Sequence, residues 1–148
     1  MILTDNLRTA MANTFQMYYR AYSCYWNSQG IHFYSVRLFL KEMYTDLWET
    51  VNGLAEQIKS LDTTVPPSIS GLLTFSTIEC DQSSRNQPVD ILKGLLDANT
   101  QVISSLELSL ESSRETNTHN VTHYLEERLA NHARYNWMIK ATLHGIKK

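Results

Sequence analysis

Proline, glycine and cysteine are all scarce in this chain of 148 residues: three, five and two, respectively. Proline is the strongest helix breaker, and Pro66, Pro67 and Pro88 leave two long blocks free of it, residues 1–65 and 89–148. Such blocks favour long helices. Two cysteines, Cys24 and Cys80, make no disulfide scaffold and are expected as buried free thiols in a reducing compartment. No stretch reaches the ~18 unbroken apolar residues of a membrane helix. The start Met-Ile-Leu-Thr-Asp-Asn-Leu-Arg lacks a basic segment followed by an apolar run, so a cytoplasmic protein with no membrane partner is expected. Net charge is also lacking. Thirteen basic and 15 acidic residues leave −2, which excludes nucleic-acid binding through bulk positive charge. Gly-rich phosphate loops, Cys-x-x-Cys, Gly-x-Ser-x-Gly and zinc-protease patterns are missing too.

What is present is apolar periodicity, in a chain that is 43% hydrophobic and sized for one domain spanning 1–148. Leu3, Leu7, Met11, Phe15, Tyr18, Tyr22 and Tyr25 recur at steps of three and four. Asn27-Ser28-Gln29-Gly30 then signals a turn. Leu40, Tyr44, Leu47, Val51, Leu54, Ile58 and Leu61 alternate steps of four and three, the heptad seam of a helix bundle. Residues 62–88 are rich in Thr, Ser, Pro, Asn and Gln around a small apolar island at Leu72, Leu73 and Phe75. They read as a long crossover carrying a short helix. Pro88 suits the first position of a further helix, with Asp90 near its positive end. The pattern predicts helices over 3–28, 33–61, 89–113 and 119–144. Two of them run parallel on either side of the crossover, an all-α, ferritin-like, up-down-down-up bundle.

Three segments carry a family likeness. Tyr25-Trp26-Asn27-Ser28-Gln29-Gly30-Ile31-His32-Phe33 opens the second helix. Tyr44, Asp46 and Leu47, then Ala55-Glu56-Gln57-Ile58, follow along it. Glu127-Arg128, His132 and Trp137-Met138-Ile139-Lys140-Ala141 lie in the last helix. In this order and spacing, from about residue 10 to 144, they resemble the Dps family of mini-ferritins (DNA-binding protein from starved cells). The resemblance implies a four-helix bundle assembled as a hollow shell, a homo-oligomer of twelve subunits. Typical members oxidise Fe²⁺ between two-fold-related subunits and store the ferric mineral inside; some coat DNA.

The family's iron ligands are two histidines, two aspartates and a glutamate, and their positions fall here on Tyr25, Arg37, Lys41, Asn52 and Glu56. Only Glu56 keeps the family's residue type. Iron needs carboxylate oxygen and imidazole nitrogen. A cation 4 Å from Fe²⁺ instead costs roughly 8 kcal/mol at an effective dielectric of 20. The expectation is that Arg37 and Lys41 stand where iron would and neutralise Glu56, Glu42 or Glu49 across a subunit junction. At ~100° per residue, Arg37, Lys41, Asn52 and Glu56 share one arc beside the apolar seam, with Trp48 amid it. A solvated charged face on a monomeric bundle is the plain alternative. No catalytic residue and no required cofactor follow from this reading, and the shell's role is structural or protective. Iron is the ligand only if substituted residues still oxidise and store it.

Other candidates are weaker. His119 and His123, four apart, share a helix face and form either a bare surface pair or a metal grip for Zn²⁺ or Ni²⁺. Thr118 and His123 match positions of the family's acidic three-fold pore, which would here attract cations less. His32 reads as a polar loop residue, His132 as a hydrogen-bonded core histidine and His144 as exposed. The aromatic residues read as core and interface filling. DNA contact would rest on Lys147 and Lys148, repeated around the shell, and would be weak and salt-sensitive.

Overall fold

A computed structural model describes residues 2–80, 82–83 and 85–146. Its order is α1 Ile2–Asn27, α2 Phe33–Lys59, α3 Ile69–Leu73, α4 Pro88–Glu115 and α5 His119–His144. The four long helices start and stop within two residues of the positions expected from periodicity. Pro88 is at the start of α4, where its missing N–H costs nothing. The Ser68 hydroxyl caps the short α3 by accepting from Gly71 N at 3.1 Å.

The heptad residues of α2 do as their spacing requires. Leu40, Leu47, Leu54 and Ile58 are fully buried, and Tyr44, Val51 and Leu61 pack against them from the rim. α1 packs on α2 and α4, and α4 on α5. Contacts set the directions. Asn6 Nδ2 donates to Ser112 Oγ at 2.8 Å, whereas Arg20 Nη1 donates to Gly94 O at 2.9 Å, so α1 and α4 are antiparallel. Asp46 meets Arg128 while Gln57 meets Asn120, so α2 and α5 are antiparallel as well. α2 and α4 therefore run parallel, and the connection between them must span the bundle.

Polar residues of α1 guide that crossover. Arg8 donates to Thr63 Oγ1 and Thr64 O, at 2.8 and 3.0 Å. Asn13, fully buried, accepts from Thr77 N and Ser76 Oγ and donates to Thr77 Oγ1, each at 2.9 Å. Arg20 Nη2 reaches Glu79 O at 3.2 Å, and Gln29 N donates to Asn86 O at 2.8 Å. The buried amide of Asn13 would be costly if unpaired, so it holds the crossover in place. Cys24 is buried as expected, but Cys80 is exposed. The segment enters the core at Ile78 and has left it two residues later, where Cys80 Sγ accepts from Gln16 Nε2 at 3.4 Å on the outside of α1.

α2 and α5 are joined through a buried polar cluster. Arg128 grips the Asp46 carboxylate in bidentate fashion, both contacts 3.0 Å, and Tyr135 Oη also donates to it. Arg128 Nη2 contacts His132 Nε2 at 3.0 Å. A guanidinium only donates, so Nε2 is the bare, accepting nitrogen. Nδ1 then carries the hydrogen and donates to Asn99 Oδ1 at 2.8 Å. Asn99 Nδ2 returns a bond to His132 O at 2.9 Å. Burial, reinforced by the Arg128 charge, pushes His132 down to about 3. Burial alone would raise Asp46, but the bonds from Arg128 and Tyr135 outweigh it and hold this carboxyl below the ordinary aspartate value.

The consequence for stability follows from linkage. The unfolded chain protonates His132 near pH 6.5, and the folded chain does so only near 3. Stability from this group is complete above pH 6.5 and falls by about 1.4 kcal/mol per pH unit as pH drops through that window. The lowered Asp46 adds a loss of the same sign at more acid pH. Urea titrations from pH 7.5 to 4.5 should show this slope, and His132→Gln, which cannot take up the proton, should flatten it. A second expectation concerns Gly53, where an added Cβ would lie 2.6 Å from Tyr124 Cζ. Gly53→Ala should destabilise by roughly 1–3 kcal/mol despite alanine's better helix propensity. In a Tyr124→Leu background the same change should stabilise. Melting curves of the three variants test this.

Candidate metal centre

The five positions expected around a metal divide between the two ends of α2. Tyr25 lies in the last turns of α1, beside the start of α2, where Arg37 and Lys41 stand one turn apart. The Arg37 guanidinium lies over the Tyr25 ring, 4.1 Å from its centroid, and 5.4 Å from that of Phe33. This cation–π sandwich half-buries the side chain, and its Nε has no hydrogen-bond partner. Lys41 is exposed. With Tyr25, Phe33, Tyr34, Arg37 and Leu38 it lines a hollow of about 160 Å³.

Asn52 and Glu56 occupy the other end, both exposed. Asn52 Nδ2 donates to Glu56 Oε1 at 3.2 Å, so the amide offers its hydrogens to the carboxylate. Nineteen residues of helix separate Arg37 from Glu56, about 28 Å along the axis. Within one protomer these five side chains therefore do not converge. Among the described residues the ion pairs are Asp5–Arg8, Arg114–Glu126, Asp46–Arg128 and, if protonated, His123–Glu127. Arg37, Lys41, Glu42, Glu49 and Glu56 belong to none of them. As a donor set, the five positions offer a single carboxylate, a phenol, an amide and two cations. That set does not fit a ferrous ion, which needs several oxygen and imidazole ligands.

The remaining candidates are dispersed. His119 and His123 are exposed on the first turns of α5, and His123 Nε2 lies 3.2 Å from Glu127 Oε1. Thr118 caps α5 without a side-chain cap bond, and its hydroxyl pairs with that of Thr116 at 2.8 Å. His32 precedes α2, half-buried. His132 is the hydrogen-bonded core histidine that its place in the stripe implied. Among the described residues no three His, Cys, Asp or Glu side chains gather as a metal site, and no helix is long and apolar enough to cross a membrane. Lys147 and Lys148 lie outside the described residues. Sequence reasoning missed the Asp46–Arg128–His132–Asn99–Tyr135 cluster, whose members are as many as 89 positions apart. The one local hint was the Arg128–His132 spacing of four.

Comparison with known proteins agrees with the fold. A family model described as the ferritin-like domain matches residues 4–148. An uncharacterized protein of Haemophilus influenzae is 30% identical over 109 residues, 69% of this chain and 68% of that one. A Dps protein of Vibrio cholerae, described as one of a broad superfamily of ferritin-like diiron-carboxylate proteins, superposes with a TM-score of 0.90 at 26% identity. The match covers 95% of this chain and 88% of that one. Dps of Listeria monocytogenes superposes with a TM-score of 0.90 at 14% identity, over 97% and 94% of the two chains. The Bacillus brevis protein gives 0.89 at 18%, over 95% and 94%. The chain belongs to the ferritin-like family and is a mini-ferritin of the Dps type.

Proposed function

We propose that this mini-ferritin forms a closed shell, a cytoplasmic dodecamer, in which protein cations replace the metal of the subunit junction. Its role is structural or protective, without iron oxidation. The observation that carries this reading is the charge pattern on one exposed face of α2. Two cations, Arg37 and Lys41, stand at one end, and a carboxylate, Glu56, stands at the other, with no ion-pair partner among the described residues of the protomer.

Such a face is self-complementary under a two-fold axis. An antiparallel pairing that sets Arg37 against a second copy's Glu56 also sets Lys41 against Asn52. The same register places Leu38 over Ala55 and brings Thr45 against Trp48 at the axis. Leu38 and Trp48, 49% and 55% exposed, supply apolar area to bury there. Glu49, two to three residues from the axis, adds negative charge near Lys41 of the other copy. Metal is excluded from such a junction by electrostatics, because a guanidinium already occupies the space beside the carboxylate. DNA contact on this reading is weak, carried by Lys147 and Lys148 and lost at physiological salt.

Charge reversal tests the junction. Arg37→Glu and Glu56→Arg should each shift native light scattering toward smaller species, and the double reversal should restore the assembly. Fe²⁺ added in air should oxidise no faster than in buffer. Replacing the four departed positions together, Tyr25→His, Arg37→His, Lys41→Asp and Asn52→Asp, should create ferrous binding. Rapid iron oxidation by the unaltered protein, or a double reversal as disrupted as the single ones, overturns the proposal.

A further inference from the structure

Between α1 and the end of the crossover lies a cavity of about 370 Å³, whose walls include Tyr19, Arg20, Asn27, Cys80 and Arg85. Its volume is that of a small-molecule site. Two guanidiniums converge there on one residue of α4. Arg20 Nη1 donates to Gly94 O at 2.9 Å. Arg85 lies against the same residue, where an added Cβ would stand 2.9 Å from Arg85 Nε and 3.0 Å from its Cζ. Glycine at position 94 is what lets the second guanidinium come so close to the helix. Backbone carbonyls place both groups. Arg20 Nη2 donates to Glu79 O at 3.2 Å, and Arg85 Nη1 donates to Asp90 O at 2.9 Å. Glu79 and Asp90 are acids, yet they meet these arginines through the main chain. Among the described residues Arg20 takes part in no ion pair, and no carboxylate lines the cavity.

Two cations held side by side repel each other, and carbonyl dipoles offset that repulsion only in part. Both arginines are half-buried, so water screens their charge less than it would at an open surface. An anion between them supplies what the carbonyls do not. We propose that the cavity binds a phosphate dianion, either free or as the monoester of a small polar molecule.

The chemistry of the walls favours that ligand. A guanidinium presents a planar fork of N–H groups that matches phosphate oxygens, and two forks match a double charge. Arg20 carries five N–H donors and gives two of its bonds to the Gly94 and Glu79 carbonyls, so donors remain for an oxyanion. A phosphate alone does not fill the cavity. Tyr19, 57% exposed, and Asn27 add a phenol and an amide, groups that suit the polar remainder of an ester. A dianion held by Arg20 of α1 and Arg85 of the crossover ties the two together against α4, so bound phosphate stabilises the fold by mass action. The cavity is built by one protomer and lies off the α2 arc of the proposed junction, so it stands whether or not that junction forms.

Equilibrium dialysis of the native protein against radiolabelled inorganic phosphate, near neutral pH and at low ionic strength, should show one site per chain that added salt weakens. Gly94→Ala keeps every charge but drives the Arg85 guanidinium, the far end of a flexible side chain, off its seat. It should weaken binding roughly tenfold or more. Arg20→Gln and Arg85→Gln should do the same, whereas Arg134→Gln, at an exposed arginine of α5, should not. A second readout places the site. Cys24 is buried, so Cys80 is the thiol that alkylating reagents reach. Phosphate should slow its reaction with neutral iodoacetamide over the same concentrations at which it binds. Tighter binding of glycerol phosphate or adenosine monophosphate than of inorganic phosphate assigns the cavity to a monoester, and equal binding assigns it to the free anion. No phosphate taken up by the unaltered protein, binding unmoved in a folded Gly94→Ala protein, or Cys80 alkylated equally fast with phosphate bound overturns the proposal.

Discussion

The Arg128 guanidinium is buried in the bundle, and a buried charge must be paired. Its partner is Asp46, on a helix that meets α5 through long polar side chains at its middle and far end. That bidentate contact holds α2 in the rotation that its buried seam of Leu40, Leu47, Leu54 and Ile58 also requires. Asp46 is about 130° around the helix from the middle of the arc that holds Arg37, Lys41, Asn52 and Glu56. With Asp46 turned toward α5, the arc must point away from it and out of the bundle. The outward display of those charges and the inward lean of Tyr44 against Tyr22 both follow from that one rotation.

The same interaction explains why this interior tolerates so much polarity. Each member of the cluster leaves its neighbour one role. Arg128 can only donate, which makes His132 Nε2 an acceptor, which puts the ring hydrogen on Nδ1 and makes Asn99 Oδ1 its acceptor. A protonated His132 would place an N–H against the guanidinium's own N–H, so neutrality is built into the geometry and not merely favoured by burial. Apart from Arg128 Nε, which is buried without a partner, the network is connected, and a helix slip would strand its other buried groups as well.

Helix positions were legible because they depend on local chemistry. Three prolines and a Gly-containing turn mark the ends, and steps of three and four mark the faces. The crossover was legible as a length without a heptad, but its course was not. That course depends on Arg8, Asn13 and Arg20, which look like ordinary polar positions until residues some 60 places later are brought beside them. Cys80 was misplaced for a related reason: cysteine's habit of burial was applied to a segment that covers the outside of a helix. The candidate site was legible as a set of positions picked out by a family likeness, and geometry added what no spacing could show. Arg37 does not simply add a charge, because it is spent on the face of Tyr25.

That contact joins the two positions into one unit. A tyrosine at position 25 without a cation nearby would be another ring in an already aromatic seam. An arginine at position 37 without a ring beneath it would be a long, mobile side chain paying its full entropy to reach a partner. Together they make a stacked pair that holds the guanidinium near one place before any second copy arrives. A preorganised cation is what the proposed junction would use, since ordering side chains is a main cost of association.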